Sequence, residues 1–279
     1  VCTFIVTRWG TIKPCLEKKQ GGLIMGYKIA VAGKGGTGKT SLTGLIINHM
    51  VKKGERPILA VDADANANLN EVLGEEVEVT IGEIREEINQ AEASGNGFPG
   101  GMVKADYMKY RLNTAVIEGS GYDMLVMGRT QGTGCYCYVN GLLKTQLETF
   151  SKNYKYIVID NEAGMEHLSR GTVRDIGTLL LVSDCSRRGI QAAGRIRRLV
   201  DELKLNVPQI YLIVNRVPNG KLNVGLIEEI EKQKLDLIGI VPVDSMIYEY
   251  DANGKPLANL PEDSVAKLAI SEILLKLNL

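Results

Sequence analysis

A chain of 279 residues with 33 Lys+Arg against 33 Asp+Glu has a formal net charge of zero, so no overall field draws it to nucleic acid or to an acidic membrane. Its 5 cysteines do not suggest a disulfide framework, and no apolar run approaches the roughly 18–20 residues of a membrane span. The length suits one large domain, and no linker splits it.

Residues 1–24 differ from the rest of the chain. They carry Cys2, Trp9 and Cys15 without periodicity, and the run Phe4-Ile5-Val6 is too short for a secretory core. Gln20-Gly21-Gly22 can be encoded by CAA-GGA-GGN, which reads as a bacterial ribosome-binding sequence before Met25. The expectation is a translated upstream leader over 1–24 and one domain over 25–279.

Ile29-Ala30-Val31-Ala32 reads as a short buried strand and 41–53 as a helix. Between them stands Gly33-Lys34-Gly35-Gly36-Thr37-Gly38-Lys39-Thr40, followed by Ser41: a glycine, four residues, then glycine-lysine-threonine. Glycines at this spacing let backbone N–H groups turn inward around phosphate oxygens, and the new helix adds its positive end. Lys39 then reaches the terminal phosphates and the Thr40 hydroxyl holds Mg²⁺. His49, further along the helix, falls at a polar-face position and reads as solvated.

Ile58-Leu59-Ala60-Val61 is a second buried strand, ending in Asp62-Ala63-Asp64. Carboxylates one residue apart on a strand point the same way, so both can face one metal. The segment 75–121 reads as an insert with helices over 81–93 and 106–118 around a glycine-rich stretch at 94–101. It is either part of a partner-docking surface or a plain peripheral subdomain.

A strand over 123–127 leads through 128–134 to Cys135-Tyr136-Cys137. Cysteines two apart on an extended segment project to one side and reach one ion. Two thiolates do not complete a tetrahedral or square-planar site, and a two-fold axis would supply the other two from a second copy. A structural or redox dithiol is the alternative. Tyr156-Ile157-Val158-Ile159 closes on Asp160, a strand ending in an aspartate that holds Mg²⁺ directly or through water.

Strands over 210–214 and 237–241 come next, the first leading into Asn215-Arg216. Alternating strands and helices of this length imply an α/β fold: a mostly parallel sheet covered on both faces, with ligand at the carboxyl ends of the strands. Arg187, Arg188, Arg195, Arg197 and Arg198 form a basic cluster, read first as a solvated helix face and second as a docking site for an acidic partner. Cys185 reads as a buried small side chain. The amphipathic segment 265–279 has few basic residues and reads as a packed terminal helix rather than an interfacial anchor.

The extra lysine, Lys34, directly after the first glycine resembles the deviant Walker A loop of the MinD/ParA/nitrogenase-iron-protein/ArsA superfamily of P-loop ATPases. With Cys135-Tyr136-Cys137 and the stretch from Gly164 through Glu166 and His167 to Gly171, the chain resembles the CooC/AcsF accessory ATPases over about residues 26–275. These support nickel insertion into carbon monoxide dehydrogenase and acetyl-CoA synthase.

The resemblance implies an ATP-hydrolysing homodimer, closed by ATP or metal, in the reducing cytoplasm. Lys34 would cross the interface onto the partner's nucleotide. Asp64 would orient the attacking water, Asp62 would approach Mg²⁺ through its water shell, and 161–171 would form a second switch. Asn215 would read the adenine edge. Cys135 and Cys137 would bind Ni²⁺ or Zn²⁺, and His167 would serve the switch or the metal. The client would be one of the two nickel enzymes, with neither nucleic acid nor membrane as a partner. Many relatives have proline after the second aspartate, where this chain has Ala65 and then Asn66. The alternatives are a MinD/ParA-like spatial or partition ATPase and an iron–sulfur reductase. The latter is disfavoured because no cysteine lies between Asp160 and Gly171.

Overall fold

The computed structural model describes residues 26–95, 97–129, 152–161 and 175–279. The leader over 1–24, Met25, Cys135, Cys137, Glu166, His167 and most of the expected second switch lie outside the described residues. In chain order the elements are β1 (Tyr27–Gly33), α1 (Lys39–Lys52), β2 (Ile58–Ala63), α2 (Leu69–Leu73), α3 (Ile81–Ser94), α4 (Lys104–Thr114), β3 (Ile117–Glu118) and β4 (Asp123–Val126). After them come β5 (Tyr156–Asn161), β6 (Thr178–Asp184), α5 (Arg187–Glu202), β7 (Gln209–Val217), α6 (Val224–Lys232), β8 (Leu237–Pro242), α7 (Ser245–Ala252) and α8 (Val265–Lys276).

The strands form one sheet in the order β3-β4-β2-β5-β1-β6-β7-β8. Every pairing is parallel except β3 against β4. From β1 the chain runs outward to β2 and β4, returns through β5, and then passes β1 to reach β6. That reversal creates a crevice beyond the carboxyl ends of the central strands, where open α/β sheets bind ligands.

Alternation along β1 explains the two covered faces. Ile29 and Val31 join the core that holds Leu42, Ile46 and Met50 of α1 and Ile270, Ile273 and Leu274 of α8. Ala30 and Ala32 point the other way, into the core of Ile81, Ile84 and Ile88 from α3 and Ile190, Ile196 and Val200 from α5. Strands buried on both sides need not alternate in polarity, and all six residues of β2 are buried.

Three departures from the sequence reading are informative. The helix expected over 106–118 ends at Thr114, and Ile117–Glu118 instead pairs antiparallel with β4. A two-residue strand has no period to reveal it. The insert is not peripheral, because three isoleucines of α3 lie fully buried in one of the two main cores. His49 is not solvated. It is half-buried with its Nε2 unpartnered, and burial first, then Lys53 and Lys52, hold its pKa below the usual histidine value.

The remaining surface readings fare differently. α8 is packed, with Ile270, Ile273 and Leu274 buried. In the arginine cluster, Arg187 pairs with Glu229 at 2.8 Å, Arg197 with Asp201 at 2.6 Å, and Arg198 donates to Gln233 at 2.8 Å. Cys185 is partly buried against the α5 core, and burial pushes its thiol pKa up.

Candidate nucleotide-binding and hydrolysis site

The phosphate loop joins β1 to α1 and depends on glycine at defined points. At Gly33 a Cβ would lie 2.2 Å from the Val182 carbonyl oxygen of β6, so no side chain fits. Gly36 and Gly38 have φ of 79° and 87°, the left-handed region that favours glycine. Gly38 also caps α1, with no side-chain cap bond and no acidic residue in the first turn. The first amides of α1 are therefore left for a ligand, and an anion suits them.

The loop's carbonyls are engaged by donors from around it. Lys34 O accepts from the Thr37 hydroxyl at 2.8 Å and from Lys39 Nζ at 3.4 Å. Gly36 O accepts from Arg216 Nη1 at 3.2 Å, and Thr37 O from Asn215 Nδ2 at 2.9 Å. Phosphate oxygens would be repelled by carbonyls, so tying these three to donors favours a cradle of N–H groups. Lys39 is buried and Lys34 exposed. Lys39 can exchange its long contact with Lys34 O for phosphate oxygens, while Lys34 is available to a second molecule.

Asn215 and Arg216 sit within β7 rather than after it, at an irregularity in the β7–β8 pairing between Val214 and Val217. Arg216 has a φ of 56°. A bulge of this kind re-aims side chains, and here it carries Asn215 and Arg216 onto the phosphate loop. Asn215 Oδ1 accepts from Arg216 N at 2.9 Å. Sequence alone gives Arg216 no role; its neighbour Asn215 is the only signal.

The acidic residues come from adjacent strands. Asp62 of β2 and Asp160 of β5 are register partners, 0% and 1% exposed. Asp160 accepts hydrogen bonds from Thr40 and from Thr43 Oγ1, the latter at 3.4 Å. Burial raises its pKa to about 7, aided by the Asp62 and Asp64 charges and opposed by Thr40 and Lys39. Burial likewise raises Asp62 to about 6, against the amides that bond it. Two buried acids on neighbouring strands beside a threonine hydroxyl form a hard-oxygen donor set, and their ionised forms lack enough positive charge. The residues fit Mg²⁺, with Thr40 and Asp160 nearest the phosphate loop and Asp62 beside them.

β2 ends at Ala63, so Asp64 lies in the turn beyond the strand, close enough for its charge to act on Asp62 and Asp160. Asp62 organises that turn. Its Oδ1 accepts from Asp64 N at 3.0 Å and its Oδ2 from Leu69 N at 2.9 Å. Asp64 is half-exposed, and its Oδ1 accepts from Asn66 N at 2.8 Å and Asn66 Nδ2 at 3.1 Å. Asn161, next to Asp160, donates from Nδ2 to Val31 O at 3.0 Å and ties the end of β5 to β1. Ser41 lies half-buried in the first turn of α1. Among the described residues no three or more His, Cys, Asp or Glu side chains gather into one metal-holding group, so Asp62 and Asp160 stand as a pair. No described helix is long and apolar enough to cross a membrane.

Residues 28–257 match the family model described as the CobQ/CobB/MinD/ParA nucleotide binding domain. An uncharacterized ATP-binding protein of Methanocaldococcus jannaschii is 43% identical over 247 residues, covering 88% of this chain and 96% of that protein. The carbon monoxide dehydrogenase accessory protein CooC of Rhodospirillum rubrum is 31% identical over 243 residues, covering 81% of this chain and 88% of that protein. Among solved structures, the septum site-determining protein MinD of Pyrococcus horikoshii, complexed with Mg-ADP, superimposes with a TM-score of 0.66 at 19% identity, over 91% of this chain and 96% of that one.

Proposed function

The chain belongs to the CobQ/CobB/MinD/ParA family of nucleotide-binding P-loop ATPases, and within that family we propose that it is a nickel metallochaperone. In this reading it hydrolyses ATP to ADP and phosphate as a cytoplasmic homodimer and supports nickel insertion into carbon monoxide dehydrogenase or acetyl-CoA synthase. The observation that carries the reading is Cys135-Tyr136-Cys137 in a chain 31% identical to a carbon monoxide dehydrogenase accessory protein.

Gly33 through Ser41 hold the phosphates, Thr40, Asp62 and Asp160 hold Mg²⁺, and Asn215 lies beside the loop where the base would enter. Mg²⁺ supplies charge neutralisation at the phosphates when bound. In hydrolysis the water oxygen bonds to the γ-phosphorus as the bond to the β–γ bridging oxygen breaks; that electron pair leaves with ADP, and the water's proton passes to the departing phosphate. Asp64 accepts a hydrogen bond from the water and aims it, while Lys39 and the partner's copy of Lys34 offset the phosphate charge. The exposure of Lys34 beside a buried Lys39 supports the cross-dimer role. Each subunit contributes two thiolates to one shared nickel or zinc site.

A spatial or partition ATPase is the rival. Its sequence hints are the arginine cluster and the terminal helix. Three of the five arginines have local partners and α8 is packed, which lends the rival little support. Titration of reduced protein with Ni²⁺ and Zn²⁺, in the presence of ADP or of a non-hydrolysable ATP analogue, tests the proposal. The expected result is one ion per dimer with an affinity that depends on the nucleotide. Absence of stoichiometric binding in either nucleotide state would reject the metallochaperone and leave the ATPase.

A further inference from the structure

The turn after β2 is tied to a residue far along the chain. Asn66 Nδ2 donates to Asp64 Oδ1 at 3.1 Å, and Asn66 Oδ1 accepts from Arg129 Nη2 across a separation of 63 residues. We propose that Arg129, acting through Asn66, is a positioning residue that orients the Asp64 carboxylate for hydrolysis. This inference rests on the reading of Asp64 as the water-orienting group.

The chemistry of the amide carries the argument. A carboxamide presents an acceptor on one side and donors on the other, and reversing it would set Asn66 Oδ1 against the Asp64 carboxylate. Arg129 has only donors, so its contact with Oδ1 fixes the amide with its NH₂ toward Asp64. The Asn66 backbone N–H adds a second bond to the same oxygen at 2.8 Å. One carboxylate oxygen is thereby held by two donors, and no described residue engages the other. That second oxygen is the one available to a water molecule.

Arg129 is exposed, and an exposed arginine loses rotamer freedom when held in one place. Here its backbone is already constrained. Met127 N donates to Asp62 O at 2.8 Å, and Gly82 N donates to Met127 O at 2.8 Å. Gly128 has a φ of 67°, and a Cβ there would lie 2.5 Å from the Thr80 side chain. At Gly82 a Cβ would lie 2.5 Å from the Arg129 carbonyl oxygen. The end of β4 therefore lies between the start of the Asp64 turn and the first turn of α3, and Arg129 emerges from that junction toward Asn66.

Steady-state ATP hydrolysis by full-length protein, with nucleotide affinity measured separately, tests the relay. Arg129→Ala and Asn66→Ala should each lower kcat by about tenfold, the scale of one lost charge-assisted hydrogen bond, with ATP affinity and melting temperature nearly unchanged. The double variant should be no worse than the worse single one, since both break one chain of contacts. Arg129→Lys should recover part of the loss, and millimolar guanidinium should rescue Arg129→Ala but not Asn66→Ala. Normal kcat in both single variants, or fully additive losses, would overturn the relay. The underlying reading has its own control: Asp64→Asn should cost far more than either variant, and full turnover there would remove Asp64 itself from the mechanism. Loss in Asp64→Asn with normal Arg129→Ala would sink only the relay.

Discussion

Asp62 and Asp160 face each other across the β2–β5 ladder, and both carboxyls are buried with pKa values raised to about 6 and about 7. An acid whose folded pKa is raised binds more protons folded than unfolded between the two values. Its stabilising contribution is complete below about pH 4 and is lost as pH rises through the folded value. Each group then costs up to about 1.4 kcal/mol per pH unit across its window. In Mg²⁺-free buffer Asp160→Asn should accordingly melt higher than the parent at pH 8 and nearly level with it at pH 4. Mg²⁺ with ADP should raise the melting temperature of the parent and do little for the variant. A parent protein without the pH-dependent gap, or a variant that responds fully to Mg²⁺ and ADP, would remove Asp160 from the cation site.

Lys34 and Lys39 occupy one loop but differ in burial, Lys39 enclosed and Lys34 exposed. Lys34→Ala should still bind ATP through Lys39 and the loop amides, and should fail to dimerise on ATP and Mg²⁺. Sedimentation velocity distinguishes the outcomes. An unchanged ATP-dependent dimer would refute the cross-subunit role of Lys34.

Gly33 and Val182 approach so closely that a methyl group cannot be placed between β1 and β6 without backbone movement. Gly33→Ala should lower stability by about 1–3 kcal/mol, the scale of overpacking a tight interior. It should also weaken ATP binding, because Gly33 begins the loop. Denaturant unfolding and nucleotide titration measure the two effects. A stable variant with normal affinity would show that the β1–β6 contact yields more easily than this geometry allows.

The phosphate loop was legible because its chemistry requires contiguous residues: three glycine positions, a lysine and a hydroxyl fall within one short segment. Asp62 and Asp160 were legible because each closes an apolar strand. Asp62 and Asp64 part in burial, one enclosed and the other half-exposed, because the chain leaves β2 at Ala63 and the amide of Asp64 bonds back to Asp62. Arg216 and Arg129 act on the site through contacts with Gly36 and Asn66. Such long-range contacts leave no periodic trace in a single sequence. Resemblance alone placed Asn215 beside the nucleotide site, and its hydrogen bond to Thr37 O would have been hidden, since it depends on a bulge in β7.

In the proposed function, Cys135 and Cys137 would bear on metal delivery rather than on hydrolysis. In sequence Cys135 follows Arg129 by only six residues, and Arg129 bonds the Asp64 turn through Asn66. If nucleotide state changes that turn, it can change the separation of two cysteine pairs contributed by two subunits. Replacing both cysteines with serine should abolish nickel and zinc binding, because serine is a poor substitute for thiolate toward these ions. Basal ATP hydrolysis should persist, since the phosphate loop, Asp62, Asp64 and Asp160 are untouched. In the parent protein, metal affinity should fall at low pH as protons compete for sulfur. By linkage, bound metal must also shift the ATP-dependent dimer equilibrium by the same factor that ATP shifts metal affinity. Isothermal titration gives the first quantity and sedimentation the second. Stoichiometric nickel retained by the double serine variant would reject the site. Equal metal affinity with ADP and with an ATP analogue would preserve the site and eliminate the coupling on which ATP-driven delivery depends.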